Sequence, residues 1–205
     1  MEIKMKNKII SLLVAMVAVF AFTVSNVNAA DLSALEGWYV APKVGMTFEQ
    51  FDDVHGTHNV SYSHRHGQTV AAGLAAGFDW SKSDYALPFR TELEYLYHGP
   101  QKIALADSRL GFETHTVFAN VAYDFKEVPY VTPYLTAGVG ANWFSGTGDN
   151  WKFAYNFGGG VVVPVADHWS VDLGARYVDL GRMVKHGTKA RVKGADVMLA
   201  VRYTF

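Results

Sequence analysis

Histidine is the residue type whose placement most invites a chemical reading. Of eight histidines in 205 residues, His55, His58, His64 and His66 fall within one polar stretch. His98, His115 and His186 lie near the ends of other segments, and His168 stands apart. Neutral imidazole is a ready ligand for zinc, copper or nickel and changes charge near physiological pH. The four-histidine stretch is therefore a candidate for surface capture of metal or haem, or for a pH-sensitive loop. The plainer alternative is a polar loop that happens to use histidine, because spacing within a loop does not fix a coordination geometry. No metal ligand set and no cofactor is assigned.

Hydrolysis needs a nucleophile beside a base that a third group orients. The adjacent pairs available are Ser63-His64 and His115-Thr116. Neither has the His-x-Ser arrangement of a deacylase, and both read more simply as polar pairs at a loop or strand end. Glu92 and Glu94 stand two apart with Arg90 beside them. One strand face would hold all three, and the mixed signs favour an ion-pair network over acid–base catalysis. Gly138-x-Gly140 and Gly158-Gly159-Gly160 lie inside apolar segments, where missing side chains make room for large neighbours, and are not phosphate loops. No catalytic residue is assigned, and a non-enzyme is expected.

The chain has no cysteine, which removes disulfide scaffolds, thiolate metal sites and cysteine nucleophiles. Its formal net charge of −1 lacks the basic excess of a nucleic-acid binder. Lys4, Lys6 and Lys8 precede an apolar run over Ile9–Val24, and small residues follow at Ala29 and Ala30. This is the pattern of a secretory signal peptide, expected over residues 1–29 with cleavage after Ala29 or Ala30. Residues 30–36 are then a short periplasmic lead, and 37–205 one domain.

From residue 37 onward the period is two, repeated eight times. The expected strands are Trp38–Phe48, Gln68–Trp80, Leu87–His98, Glu113–Phe125, Tyr130–Phe144, Lys152–Val165, Trp169–Leu180 and Val192–Phe205. The third is the sharpest: Leu87, Phe89, Leu93, Tyr95 and Tyr97 oppose Arg90, Glu92, Glu94 and His98. The apolar faces are long and aromatic at their ends, while the opposite faces are rich in glycine and carry charges of both signs. That is a barrel with lipid outside and polar side chains inside. Closure also satisfies every backbone group in hydrocarbon, which an open sheet cannot do. Gaps after the even strands are short and those after the odd strands mostly longer, as periplasmic turns and surface loops alternate. Aromatics collect in two rings. Trp38, Trp80, Phe89, Phe125, Tyr130, Trp169, Tyr203 and Phe205 mark the short-turn end, and Phe48, Tyr95, Tyr97, Trp143, Phe153, Tyr155 and Tyr177 the other.

Several segments carry a family likeness. Gly37-Trp38-Tyr39-Val40 opens the first strand, and Arg90-Thr91-Glu92-Leu93-Glu94-Tyr95 fills the third. Ala119-Asn120-Val121-Ala122-Tyr123-Asp124-Phe125 closes the fourth, and Pro133-Tyr134-Leu135-Thr136-Ala137-Gly138-Val139-Gly140 opens the fifth. Arg176-Tyr177-Val178-Asp179-Leu180-Gly181 ends the seventh, and the chain ends in Arg202-Tyr203-Thr204-Phe205. In order and spacing these resemble the eight-stranded outer-membrane β-barrel family that includes opacity-type surface proteins and the barrel of outer-membrane protein A. The resemblance implies an all-β, antiparallel, up-and-down transmembrane barrel in the outer membrane of a Gram-negative cell. It implies a non-enzymatic surface protein, with envelope support or loop-mediated adhesion as its role. A lipid-modifying outer-membrane enzyme and a small-solute channel are the alternatives. The expected partners are outer-membrane lipid and lipopolysaccharide, an extracellular ligand at the loops, and the barrel-assembly machinery. The machinery would read the last strand, where Val197, Leu199, Val201, Tyr203 and Phe205 alternate.

Eight strands enclose a space that side chains can fill, so the lumen should be plugged. The inward set supplies Lys43, Arg90, Arg176 and Arg202 against Asp79, Glu92, Glu94, Asp124, Asp172 and Asp196. Buried charges must be paired. The expected network centres on Arg90, Glu92, Glu94 and Arg176 or Arg202. Tyr39, Phe118, Tyr134 and Met198 add bulk, and Gly73, Gly77, Gly138, Gly140, Gly158, Gly160 and Gly174 make room for it.

Overall fold

The computed structural model of the chain describes residues 35–55, 61–62, 65–83, 85–104, 109–145, 151–185 and 188–205, with side chains outside 51–66, 101–112 and 183–190. The signal peptide expected over 1–29 lies outside the described residues, as does most of the 30–36 lead. Ser63, His58, His64 and His186 lie outside them too, and His55 and His66 are placed by backbone alone.

The alternating segments form strands β1 Trp38–His55, β2 Ser61–Tyr62, β3 Arg65–Asp79, β4 Phe89–Ala104, β5 Arg109–Asp124, β6 Thr132–Ser145, β7 Lys152–Pro164, β8 Trp169–Lys185 and β9 Thr188–Thr204. Their order is β2-β1-β3-β4-β5-β6-β7-β8-β9, every pairing is antiparallel, and β1 also pairs with β9. The wall is therefore a closed barrel of eight strands, with β2 a two-residue addition beside Val54 and His55 of β1. Closure brings the chain ends together: the Phe205 N–H donates to the Trp38 carbonyl at 2.9 Å.

Burial runs opposite to that of a water-soluble protein. Arg90, Glu94, Asp196 and Arg202 are buried, whereas Leu93, Leu135 and Val139 are 61%, 60% and 54% exposed. Period two places each set on its own side of the wall, and a one-residue slip would exchange them. The two aromatic girdles take form as ring contacts, edge-to-face at the short-turn end and tilted or stacked at the other. Phe78 meets Trp38 and Trp80, and Tyr203 meets Trp169 and Phe205, at the short-turn end. Trp143, His115, Tyr95, Tyr155 and Tyr177 are in ring contact at the other.

Strand limits differ from expectation mainly at the long-loop end. There β1 runs on to His55, β4 to Ala104 and β8 to Lys185, while β3 begins at Arg65, β5 at Arg109 and β9 at Thr188. Pairing continues above the apolar band, where sequence no longer alternates. The register also shifts there, between Asp52 and His55, His98 and Gln101, and Asp179 and Gly181. At the other end Trp80 leaves the strand for a single 3₁₀ turn, Trp80–Lys82, capped by the Asp79 carboxylate accepting from the Ser81 N–H.

One rung of the closing seam differs from the rest. Even-numbered residues of β1 turn their backbone toward β9, as the Trp38 carbonyl shows. The β1–β9 pairing includes Val40 with Tyr203, skips Ala41 and Pro42, and resumes at Lys43 with Ala200. Pro42 has no N–H to give at the rung it occupies.

Candidate functional site: a charged lumen behind a lipid-facing wall

Inside the barrel the ionised side chains form two linked layers. Nearest the short turns, Arg90 Nε donates to both Asp124 oxygens at 2.9 and 2.7 Å. Arg202 Nη2 donates to Asp172 at 2.6 Å, and the Tyr134 hydroxyl donates to the other Asp172 oxygen at 2.7 Å. The guanidinium of Arg90 lies 4.9 Å from the Tyr134 ring centre and that of Arg202 4.7 Å from the Tyr39 ring. Planar cations over aromatic faces add attraction in a dry setting.

Above this layer Lys43 Nζ sits 2.5 Å from both Glu92 and Glu94. Glu94 also faces Arg176 at 2.7 Å, and Arg176 reaches Asp196 at 3.1 Å. The Thr47 hydroxyl donates to Asp196, and the Tyr39 hydroxyl donates to Glu92 at 3.2 Å, joining the layers. Arg176 stacks 5.2 Å from the Phe118 ring. Nearer the loops the fill is mixed, with the acid Glu49 buried among mostly neutral residues. The Thr116 hydroxyl donates to Asn142, Asn142 donates to the Leu180 carbonyl, and Phe144, Val178 and Val192 are buried around them.

Of the expected centre, Glu92, Glu94 and Arg176 do form one network, but Lys43 joins them and Arg90 pairs outside it with Asp124. The reason is the face of β3. Its inward residues Ala71, Gly73, Ala75 and Gly77 are small, and Gly77 and Ala75 stand beside Glu92 and Glu94. Lys43 on β1 therefore reaches across β3 to both carboxylates. Arg90, nearer the mouth, meets Asp124 of β5 instead. Asp79 departs from the expected lumen set as well. It caps the Trp80 turn and pairs with Lys126 at 3.2 Å, and Lys126 also contacts Ser81.

The glycines do what their spacing implied. A Cβ on Gly77 would lie 2.5 Å from the Tyr39 hydroxyl oxygen, and one on Gly174 would lie 2.5 Å from that of Tyr134. Between the two charged layers remains a cavity of about 50 Å³, lined among others by Tyr39, Lys43, Glu92, Tyr134, Asp172 and Arg176. A buried water needs roughly 10–15 Å³ of such space, so this has room for a few waters.

The candidate pair His115-Thr116 is taken apart by the wall. Thr116 faces the lumen, fully buried against Asn142, while His115 faces lipid, shares a 2.8 Å hydrogen bond with the Tyr95 hydroxyl and stacks on Trp143 at 4.8 Å. His98 is a lumen residue with no exposed surface, so it shares no site with His115. His168 lies at the short-turn end, its Nδ1 2.8 Å from the Thr204 carbonyl oxygen. Glu92 and Glu94 are locked by Lys43, as an ion-pair reading requires. Sequence reasoning missed Lys126 and Asp179. Asp179 stands in the lipid-facing phase, at the bulge where Gly181 has a φ of +84°. It accepts from the Gly181 N–H at 3.0 Å and from Arg191 at 2.6 Å. The Asp-x-Gly spacing was the available signal.

Residues 13–205 match the family described as outer membrane protein beta-barrel domain. The chain is 24% identical to outer membrane protein PagN of Salmonella typhimurium, over 86% of this chain and 93% of that one. Its fold is similar to the crystal structure of Neisserial surface protein A, with a TM-score of 0.59 and 20% identity over 82% of this chain and 97% of the other. It is also similar to OprG of Pseudomonas aeruginosa, with a TM-score of 0.55 and 13% identity over 83% and 96%.

Proposed function

This chain belongs to the outer membrane protein beta-barrel domain family and is integral to the outer membrane; from that premise we propose that it is a non-enzymatic surface protein, a rigid mount that carries its long-loop end to the cell exterior. One observation carries the reading. The lumen is spanned by ion pairs from β1, β4, β8 and β9, while pairing runs on past the apolar band only at the long-loop end. A mount needs both properties. A solute path needs the first to be absent. Short turns then face the periplasm and the loops face outward, where binding residues vary without disturbing the barrel. Lipid and lipopolysaccharide surround the wall, and an extracellular ligand meets the loops.

Whole-cell binding to host or abiotic surfaces, compared with and without residues 56–64 and 105–108, tests the reading. Loss of binding with normal barrel levels supports it. Exposure of purified lipopolysaccharide to the protein, read by mass spectrometry, tests the enzymatic alternative, and loss or gain of an acyl chain would overturn the non-enzymatic reading. Export is assigned to residues 1–29. Recognition by the barrel-assembly machinery is assigned to the lipid-facing alternation that ends at Phe205. Deleting Phe205 should lower outer-membrane levels and leave precursor in the periplasm, and unchanged surface levels would refute that assignment.

A further inference from the structure

The outward face of β4, β5 and β6 carries a run of rings in contact toward the long-loop end. Tyr97, His115 and Trp143 are direct cross-strand neighbours, and Tyr95 stands diagonal to His115. His115 and Trp143 are stacked, 4.8 Å apart at 7°. Trp143 is 6.3 Å from Tyr95 and 4.4 Å from Trp151, centre to centre. All these separations are those of aromatic rings in contact. Trp151 is 60% exposed, which gives the run an open end.

The imidazole is the odd member. A phenyl ring would fill its place without the cost of a polar group on a lipid-facing wall. What the imidazole adds is a base: its Nδ1 is 2.8 Å from the Tyr95 hydroxyl oxygen, within reach for proton transfer. Tyr97, 5.2 Å from the imidazole, gives its own hydroxyl to Glu113, so Nδ1 serves Tyr95. Removing an electron from a phenol turns its O–H into a strong acid. A base already hydrogen-bonded to it takes the proton in the same event, and the phenol becomes easier to oxidise. An indole in contact with the phenol relays the electron. Two other phenols bonded to a base, Tyr39 with Glu92 and Tyr134 with Asp172, face the lumen, away from an oxidant arriving at the outer wall.

We propose that Tyr95 and His115 form a proton-coupled redox site, wired to the surface through Trp143 and Trp151, that reduces organic peroxyl radicals at the outer wall. The peroxyl radical takes one electron from the site and one proton from water, giving a hydroperoxide and hydroxide. Tyr95 is left as a neutral phenoxyl radical, and its proton rests on His115 as imidazolium. A hydroquinone anion then returns one electron and is left as the one-electron-oxidised radical, while the proton goes back from His115 to the Tyr95 oxygen. The phenol O–H and the imidazole N–H are the bonds of the protein that break and form. The site is separate from the charged lumen and does not depend on what the loops bind.

The test uses the folded full-length protein in nanodiscs of saturated phosphatidylcholine. Flash-generated ruthenium(III) tris-bipyridine is the one-electron oxidant, and radicals are followed by transient absorption and electron paramagnetic resonance. An indole radical should appear first and give way to a tyrosyl radical, and deuterated buffer should slow that second step. His115→Phe keeps a ring and removes the base, and it should slow the step by roughly 10²-fold, the scale of a positioned base. Added imidazole should restore part of the rate. Tyr95→Phe should remove the tyrosyl signal and leave the indole radical, whereas Tyr97→Phe should keep it. In discs of unsaturated phosphatidylcholine with a thermal azo initiator as the source of peroxyl radicals, oxygen uptake should be slower with the unchanged protein than with Tyr95→Phe. A tyrosyl radical that forms at the same rate in His115→Phe, or that persists in Tyr95→Phe, would overturn the proposal, as would equal oxygen uptake with the two proteins. The isotope comparison needs no substitution: a tyrosyl step of unchanged rate in deuterated buffer refutes the site even where a variant fails to fold.

Discussion

Glu94 is 1% exposed and answers two cations from opposite sides of the barrel, Lys43 at 2.5 Å and Arg176 at 2.7 Å. Removing a partner from a buried pair strands the remaining charge, which costs roughly 3–5 kcal/mol. Glu94→Gln should therefore lower unfolding stability by about that amount, read as a shift in the urea midpoint of protein folded into lipid vesicles. A change within error would mean that water reaches both cations. Arg202 makes a different point. It combines a 2.6 Å bond to Asp172 with a stack on Tyr39, and lysine reproduces the charge without the plane. Arg202→Lys should cost about 1–2 kcal/mol by the same measurement, the value of a desolvated cation–π contact. Stability equal to the unchanged protein would leave the stack without energetic weight.

At the scale of elements, β3 shows how one strand sets the wiring of others. Its small inward face lets Lys43 cross to β4, and its glycine at 77 admits the Tyr39 hydroxyl. Gly77→Ala should cost about 1–3 kcal/mol by overpacking. Ala76→Leu, one residue away on the lipid face, should change stability by less than about 0.5 kcal/mol. Similar losses for both would mean the strand tolerates bulk on neither side. The same strand shows what was legible in the sequence. Val70, Leu74 and Phe78 against Gly73, Gly77 and Asp79 gave the strand, its two faces and the barrel, because lipid demands strict period two wherever the wall is in hydrocarbon. Most of the charged inventory was legible for the same reason, Asp79 and Glu49 excepted. Who pairs with whom was not, since Lys43 and Glu94 are strand neighbours only by way of the missing side chains between them. The strand ends at His55, Ala104 and Lys185 were hidden as well. Above the membrane pairing no longer requires alternation, and three bulges reset the phase.

The whole molecule is a barrel whose central interior charges are paired with one another. The cavity left among them is about 50 Å³. Purified folded protein should show no steady single-channel conductance in a planar bilayer, and sizeable stable openings would defeat the plugged lumen and promote a channel. Every other pairing joins strands close in sequence, whereas β1 and β9 are the farthest apart along the chain, so loop-closure entropy makes their meeting the expected last step of assembly. Until that meeting both are bare edges, and bare edges invite another copy of the chain. Pro42 removes a donor from the side of β1 that waits longest for its partner, at a cost of about 1 kcal/mol for the absent rung. The finished barrel is thus slightly weaker at its seam so that unfinished chains are less adhesive to each other. Pro42→Val should give a barrel at least as stable, yet its refolding yield should fall more steeply as protein concentration rises, with cross-linkable dimers accumulating before closure. Identical concentration dependence in the two proteins would show that chains crowded together in transit are kept apart by something other than this proline.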